Sequence, residues 1–449
     1  MASVTDPISA FLVAACVPLQ AHNSGTTDEA EAIRARYPQV AQANIYTAAA
    51  LGDHSAVRAF LVSDGSLSTK TGGPYGWDAL THLCFSRYLR LDRARSEEFV
   101  QTARLLLDAG ASANTGFHDK WDNKPIFESV IYGAAGAAQH PGMTRLLLQA
   151  GADPNDEETC YHAPENYDNT VVQILLESGK LNERSKSWIL VRKADWHDIE
   201  GIKLALDHGA DPNYIPRWGN TGLQQAVQRD NRIQIIRLLL ERGGDPLQPN
   251  AHGMSAAVLA ARRGRGDVVR LLMERHVDPG FQGVDRLIAA CALGEDKTVQ
   301  AVVQEEPDLQ TQLLTTGGSL LAHFAGVGNE PGVRCLLDLG VPVDTFYSGD
   351  GYFDIAPGST ALHVSAWRGE PEVTKLLLAR GANVNALDGK GRSPLQRALL
   401  ACTSSYWKQR RTIGWVAPLI AAGASLNAIE IPTGYDEADA LLKQSAAKE

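Results

Sequence analysis

Apolar residues recur along this chain with the spacing of amphipathic α-helices, and glycines interrupt the pattern at repeated intervals. The clearest stretch runs from Gly358 to Asp388. A Gly-Ser turn precedes one short helix, which ends at Gly369. A second helix begins at Pro371, carries three consecutive leucines and ends at Gly381. Since glycine readily adopts the left-handed conformation that closes a helix, this stretch predicts two short helices joined by turns.

A glycine after the second helix divides the rest of the chain into similar units. Clear examples are Gly65, Gly110, Gly151, Gly179, Gly209, Gly243, Gly340, Gly381 and Gly423. Two weaker unit ends follow Leu271-Leu272-Met273 and the run from Val299 to Val303. The pattern therefore predicts about eleven helix-pair units.

The first helix of the clearest unit carries a recognisable motif. Thr360-Ala361-Leu362-His363 resembles the T-P-L-H-x-A signature of the ankyrin repeat, with Ala361 in place of the usual proline. Ser393-Pro394-Leu395-Gln396 in the following unit carries that proline. The resemblance implies an all-α ankyrin-repeat solenoid with short β-turn connections, in which each unit packs on its neighbours.

A narrower resemblance covers the N-terminal quarter. The runs ACVPL (15–19), IYTAAALGD (45–53) and GGPYGWDALTH (72–82) look like those of a subgroup of bacterial ankyrin-repeat proteins. This resemblance implies a fold and no particular activity.

Spacing also predicts how the chain is divided. We expect a helical cap at residues 1–40, the repeat array at 41–430 and a C-terminal cap or tail at 431–449. Long glycine-to-glycine intervals predict insertions near 87–98, 132–142, 346–357 and 404–411, and such insertions often lie on a binding face. The unit near 155–180 is irregular because Pro164 falls where its first helix would continue.

Composition narrows the function classes. The 449 residues carry a net charge of −10, which argues against a nucleic-acid partner because phosphate binding requires a basic face. The six cysteines and twelve histidines show no metal-ligand or disulfide spacing, so we expect no metal and no cofactor. No apolar run reaches the ~20 residues of a membrane span.

The N-terminus contains Val13-Ala14-Ala15-Cys16, which has the look of a lipoprotein cleavage site. However, no Lys or Arg precedes it, and Asp6 occupies the region that should be positive. An N-capped helix with Pro7 at its first position is the favoured interpretation. We therefore expect a cytoplasmic protein.

Tryptophans, arginines and neighbouring acids fall where ankyrin-repeat proteins contact their partners, at turn tips and first-helix ends. They are Trp77, Asp78, Trp121, Asp122, Asp195, Trp196, Trp218, Arg229, Arg262, Arg263, Trp367 and Arg368. Exposed Trp and Arg are typical of interface hot spots, and clustered arginines attract carboxylates or phosphates. We therefore predict that the concave groove binds a protein, a peptide, or a small anionic or aromatic ligand. The alternative for the arginines is local neutralisation by Asp267 and Glu370.

An enzyme site is the alternative function. Asp78 and His82 lie four residues apart on a predicted helix, and Tyr88 follows. Such a group can perform metal-independent acid/base chemistry of a lyase, isomerase or hydrolase on a small molecule between Trp77 and Trp121. The competing interpretation is that Asp78 caps the helix and His82 packs in the core. Further residues expected near this site are Cys84, Arg87, His118 and Asp122.

Overall fold

The computed structural model describes residues 6–17, 24–121, 124–404 and 412–446. Contacts divide the chain into two compact parts, residues 1–225 and 226–449, which we call the first unit and the second unit from here on. Within each unit, short helices pack as antiparallel pairs that stack on neighbouring pairs. The expected all-α solenoid of helix pairs is therefore confirmed.

The first unit contains two of the four predicted insertions and one β-hairpin. Its helices are α1 (Pro7–Ala15), α2 (Asp28–Arg36), α3 (Ile45–Ala50), α4 (His54–Ser63), α5 (Ala79–Cys84), α6 (Arg87–Leu91), α7 (Ser96–Asp108), α8 (Val130–Tyr132), α9 (Pro141–Gln149), α10 (Glu158–His162), α11 (Thr170–Glu177), α12 (Glu183–Asp195) and α13 (Ile199–Asp207). Strands β1 (Gly116–Trp121) and β2 (Lys124–Ser129) pair antiparallel. The unit boundary falls in α14 (Gly222–Gln228).

The second unit is the more regular of the two. Its helices are α15 (Ile233–Glu241), α16 (Ala256–Arg262), α17 (Gly266–Glu274), α18 (Val284–Leu293), α19 (Asp296–Glu305), α20 (Asp308–Gly326), α21 (Glu330–Asp338), α22 (Ala361–Arg368), α23 (Pro371–Ala379), α24 (Pro394–Thr403), α25 (Ala417–Ala421) and α26 (Asp436–Ala446).

Capping and close packing fix the helix ends. Asn182 accepts a hydrogen bond from the Ser185 amide at 2.8 Å at the start of α12, which satisfies one of the free amides of a helix N-terminus. Gly369 ends α22 in the left-handed region, and a Cβ there would lie 2.7 Å from Trp415. Glycine is required at this position by both the backbone angle and the space.

The irregular segments adopt several structures. The 87–98 region forms α6 and a 3-10 turn, and residues 133–137 form a π-helical turn within the 132–142 region. Two isolated bridges, Tyr347 to Ser359 and Asp350 to Ile355, hold the 346–357 insertion in a folded loop. Helix α10 ends two residues before Pro164. Residues 405–411 of the last predicted insertion lie outside the described residues.

Candidate functional site

Two of the arginines assigned to the groove by sequence bind one buried aspartate in the second unit. Asp230 follows α14 with a φ of 54°, and its side chain is 5% exposed. Arg263 donates from Nε to Oδ1 at 2.8 Å and from Nη2 to Oδ2 at 2.9 Å. Arg368 donates from Nη2 to Oδ2 at 3.1 Å. Burial raises the pKa of Asp230, but the two guanidinium charges outweigh it and hold the pKa at about 2.

The 346–357 insertion covers this aspartate-centred cluster. The ring of Phe353 lies 4.0 Å from the Arg368 guanidinium carbon, and the ring of Tyr352 lies 3.8 Å from that of Arg229. Trp367 donates from Nε1 to the Phe353 carbonyl at 2.6 Å. The cavity left beside Asp230 measures about 10 Å³. The chain therefore fills this part of its own groove.

The predicted exposure of Arg263, Arg368 and Trp367 is consequently wrong. Their side chains are buried because Asp230 and the insertion supply the contacts that were assigned to a partner. Arg262 remains partly exposed and pairs with Asp285 at 2.6 Å. Asp267, offered as the neutralising acid, pairs with Arg265 instead.

The proposed acid/base pair in the first unit does not form. Asp78 caps α5, since its Oδ1 accepts from the Thr81 amide at 2.8 Å and its Oδ2 accepts from the Thr115 hydroxyl. His82 is fully buried, and its Nδ1 lies 2.9 Å from the carbonyl oxygen of Asp78 rather than from the carboxylate. Burial lowers the pKa of His82 to about 4, so the ring is neutral at pH 7. These contacts match the capping and core interpretation of the two residues.

Two further residues of that predicted site, Trp77 and Tyr88, make packing and hydrogen-bond contacts within the first unit. Trp77 is 5% exposed, stacked between Tyr75 and Phe117 at centroid distances of 4.4 and 4.3 Å. The Tyr88 hydroxyl donates to Glu31 at 2.5 Å. Burial is the larger cause and the Glu31 carboxylate the smaller cause of a raised pKa of Tyr88. Asp122 lies outside the described residues, and only the backbone of Trp121 is described, at the end of β1.

Buried Cys84 and the half-buried Arg87 also serve the packing of the first unit. Burial raises the pKa of the Cys84 thiol, and Arg87 donates to the Ala14 carbonyl at 2.5 Å. His118 lies on β1, with its ring 5.0 Å from that of Phe127. None of these three contacts brings a reactive group to Asp78 or His82.

Aromatic and arginine side chains meet on another part of the first unit. The guanidinium carbon of Arg192 lies 4.0 Å from the ring centroid of Tyr161. Tyr161 packs edge-on against Trp218 at 5.6 Å, and Arg217 lies 5.9 Å from the Trp218 ring. We call the following residues the aromatic–arginine patch: Tyr161, Tyr167, Arg192, Trp196, Arg217 and Trp218.

Tyr167 gives this patch its most exposed surface. Its side chain is 66% exposed, and its ring meets that of Trp196 edge-on at 5.9 Å. Trp196 and Trp218, both predicted from sequence, are partly exposed. Sequence reasoning missed Tyr161, Tyr167, Arg192 and Arg217, although Arg192 lies one helical turn before Trp196.

Ion pairs fix the arginines of the patch. Arg192 bridges Glu165 and Asp195, with its Nη1 2.6 Å from Asp195 Oδ2. Glu157 accepts from Arg184 and, at 3.2 Å, from Arg217. Because the side chains are held by carboxylates, the planar guanidinium groups are already oriented over the rings.

A carboxylate cluster lies beside the patch. His162 is 7% exposed, with Nδ1 3.0 Å from Glu165 and Nε2 3.3 Å from Glu158. Burial lowers the pKa of His162, but the two carboxylates outweigh it and the net shift is upward. Glu128 on β2 is 3% exposed, and its Oε2 has no hydrogen-bond partner in the described part of the chain. Burial, then repulsion from Glu158, raises the pKa of Glu128 to about 8.

Among the helices of the described residues, none has both the length and the hydropathy that a bilayer span requires. In the same residues, no group of three or more His, Cys, Asp or Glu has a metal-binding arrangement.

Comparisons with known proteins identify the repeats. A family model described as ankyrin repeats (3 copies) matches residues 189–282 and 287–388. The chain is 28% identical over 208 residues to human "SH3 and multiple ankyrin repeat domains protein 2", covering 45% of this chain and 11% of that protein. It is 29% identical over 247 residues to human "Ankyrin repeat and MYND domain-containing protein 1", covering 50% of this chain and 25% of that protein.

A mouse relative gives a similar result. The chain is 30% identical over 203 residues to "B-cell lymphoma 3 protein homolog" of Mus musculus, covering 40% of this chain and 42% of the relative. The chain thus spans less than half the length of each of these three relatives.

Proposed function

Because this chain is an ankyrin-repeat protein, we propose that it recognises a protein or peptide partner through the aromatic–arginine patch of its first unit. The observation that carries the proposal is the exposure of Tyr167 beside Trp196, with Arg192 and Arg217 lying over the rings of Tyr161 and Trp218. Tyr, Trp and Arg are the residues most enriched in interface hot spots.

The position of the patch supports the same proposal. Trp196 lies at the end of the first helix α12, and Trp218 lies in the turn that leads into the next first helix. Members of the family contact partners with side chains at these two kinds of position. The carboxylates that hold Arg192 and Arg217 keep the patch ordered before a partner arrives, which lowers the entropy cost of binding.

The expected partner presents an apolar or aromatic side chain flanked by polar groups. The rings of Tyr161 and Trp218 supply flat apolar surface, while the arginines near them are already matched by Glu157, Glu165 and Asp195. An anionic ligand at Arg263 and Arg368 is disfavoured, because both guanidinium groups already bind Asp230.

Affinity capture with variant baits tests this proposal. The Tyr167→Ala/Trp196→Ala double variant removes two exposed or partly exposed rings, and we expect bound partner to fall about tenfold or more. The matched bait is Arg229→Ala/Arg262→Ala, which alters two predicted arginines of the second unit and should retain the partner. Melting temperatures of both baits establish that they are folded. Equal capture by wild type and by the Tyr167→Ala/Trp196→Ala bait would refute the role of the patch.

A further inference from the structure

An open apolar groove lies between α17, α18 and α19 of the second unit. It has a volume of about 530 Å³ and extends from the end of α17 to the start of α19. Met273, Val277, Phe281 and Leu293 contribute its apolar lining. Met273 is 51% exposed and lies beside the other apolar residues of the groove, and apolar side chains exposed together are typical of interaction sites.

The groove exists because α19 departs from the stacking of its neighbours. Elsewhere in this unit, second helices pack side by side, as α15 does with α17 and α21 with α23. Helix α19 packs closely on its own first helix, α18, but makes little contact with α17 or α21. The apolar end of α17 is therefore left without the helix that would otherwise cover it.

The connection between α17 and α18 also differs from that of other repeats. His276 adopts a φ of 59° at the position where Gly243, Gly340 and Gly381 end the second helices of other repeats. Because a non-glycine residue at positive φ is disfavoured, this turn holds a conformation that must be supported by its surroundings. It places Val277 and Phe281 along the groove.

The charged groups at the groove have an excess of carboxylates. Among the lining residues, Arg286 is already matched, since it lies 2.5 Å from Glu305 and 3.3 Å from Glu306. Asp278 accepts from the Gly280 amide at 3.0 Å, and Glu295 accepts from the Thr298 hydroxyl at 2.9 Å. Neither carboxylate has a cationic partner in the described part of the chain. His276 is the remaining titratable side chain of the lining.

We infer that this groove docks a peptide segment of a partner protein that places an apolar side chain beside a lysine or arginine. Met273, Phe281 and Leu293 would bury the apolar side chain, while Asp278 and Glu295 attract the cation. The net charge of −10 favours approach of a basic segment. An open groove suits an extended or helical segment better than a small molecule, which binds where most of its surface is enclosed.

This docking surface is separate from the aromatic–arginine patch, and its test is made on the full chain. Random peptides displayed on phage are selected against the wild-type protein, and the affinities of enriched synthetic peptides are measured by fluorescence anisotropy. We expect the enriched peptides to carry Leu, Met or Phe next to a Lys or Arg. Met273→Gln should weaken binding about tenfold, and Glu295→Gln about threefold.

Two control variants show whether a loss of peptide binding is specific to the groove. Leu387→Gln alters an apolar side chain that is 60% exposed elsewhere in the unit, and Glu200→Gln removes an exposed carboxylate from the other unit. Both should bind the peptides as the wild type does. The inference is overturned if no enriched peptide responds to Met273→Gln, or if the responsive peptides lack a basic residue. Peptides lost only in Tyr167→Ala/Trp196→Ala would support the patch and count against the groove, so the two proposals can fail separately.

Discussion

Asp78 illustrates how a candidate catalytic residue is explained by helix capping. Its two carboxylate oxygens accept from the Thr81 amide and the Thr115 hydroxyl. Asn caps a helix about as well as Asp, so Asp78→Asn should change the free energy of unfolding by less than about 0.5 kcal/mol. Asp78→Ala loses both bonds and should cost about 2 kcal/mol. Urea denaturation of the two variants checks this, and an equal loss in both would show that the negative charge matters.

Glu128 should make stability fall as the pH rises. Its folded pKa of about 8 exceeds the ordinary 4.5, so between these values the folded chain holds a proton that the unfolded chain has lost. The free energy of unfolding therefore falls with pH, by at most about 1.4 kcal/mol per unit. His162, whose folded pKa is also raised, contributes a fall only above about pH 6.5.

The Glu128→Gln variant isolates this effect. Between about pH 5 and 6.5 it should be less sensitive to pH than the wild type, because the titrating carboxyl is gone. Glu29→Gln, at an exposed carboxylate on α2, is the control and should keep the wild-type slope. Denaturation curves collected across this range give the comparison. Parallel slopes for wild type and Glu128→Gln would contradict a raised pKa.

Asp230 should be far more costly to replace than an exposed acid in a similar pair. Asp230→Asn leaves the buried guanidinium of Arg263 without its carboxylate, and we expect a loss of about 3–5 kcal/mol. Asp338 also pairs with an arginine, but the side chains of Asp338 and Arg380 are 57% and 34% exposed, so Asp338→Asn should cost less than about 1 kcal/mol. Thermal unfolding of both variants makes the comparison. Similar losses would mean that Asp230 does not neutralise the buried arginines.

For individual residues, the sequence predicts contacts between near neighbours in the chain better than contacts between distant residues. The cap made by Asp78 involves a neighbour three residues away and follows from the residue type alone. Arg368 binds Asp230 across 138 residues of sequence, a contact that no local pattern contains. The prediction that Arg368 is exposed failed for that reason.

Among the elements, α10 and the segment after it should open most readily. Helix α10 has five residues, and Pro164 prevents its continuation because proline lacks the amide that the next turn requires. Amides of residues 163–169 should therefore exchange hydrogen earlier than those of residues 256–272, which lie mainly in α16 and α17. Exchange followed by mass spectrometry compares the two segments. Equal protection would show that the irregular repeat is as stable as the regular ones.

Helix pairs were predictable, but two non-helical elements show the limits of the pattern. The hairpin of β1 and β2 was not predicted, because its residues lie between helix signals and lack a strict apolar alternation. The 346–357 insertion was located by spacing, yet its position over Arg368 depends on tertiary contacts by Phe353. Length reveals that an insertion exists and does not reveal what it covers.

Over the whole molecule, the repeated pattern allows the architecture to be predicted from the sequence, but it does not identify the binding surface. Most helix pairs end at the same glycine, so the solenoid follows from the sequence. Both proposed binding surfaces lie where the repetition is interrupted, at α10 in the first unit and at α19 in the second. Tyr161 and Tyr167 lie in such an interruption, which explains why sequence periodicity did not identify them.

Hydrogen exchange on the full chain, with and without its captured partner, shows directly whether the partner binds at the aromatic–arginine patch. We expect slower exchange at residues 157–167, 188–196 and 214–218, which carry the aromatic–arginine patch. Residues 346–368 should be unchanged, because the insertion already covers that part of the second unit. Protection confined to residues 346–368, with the patch unaffected, would contradict recognition by the first unit.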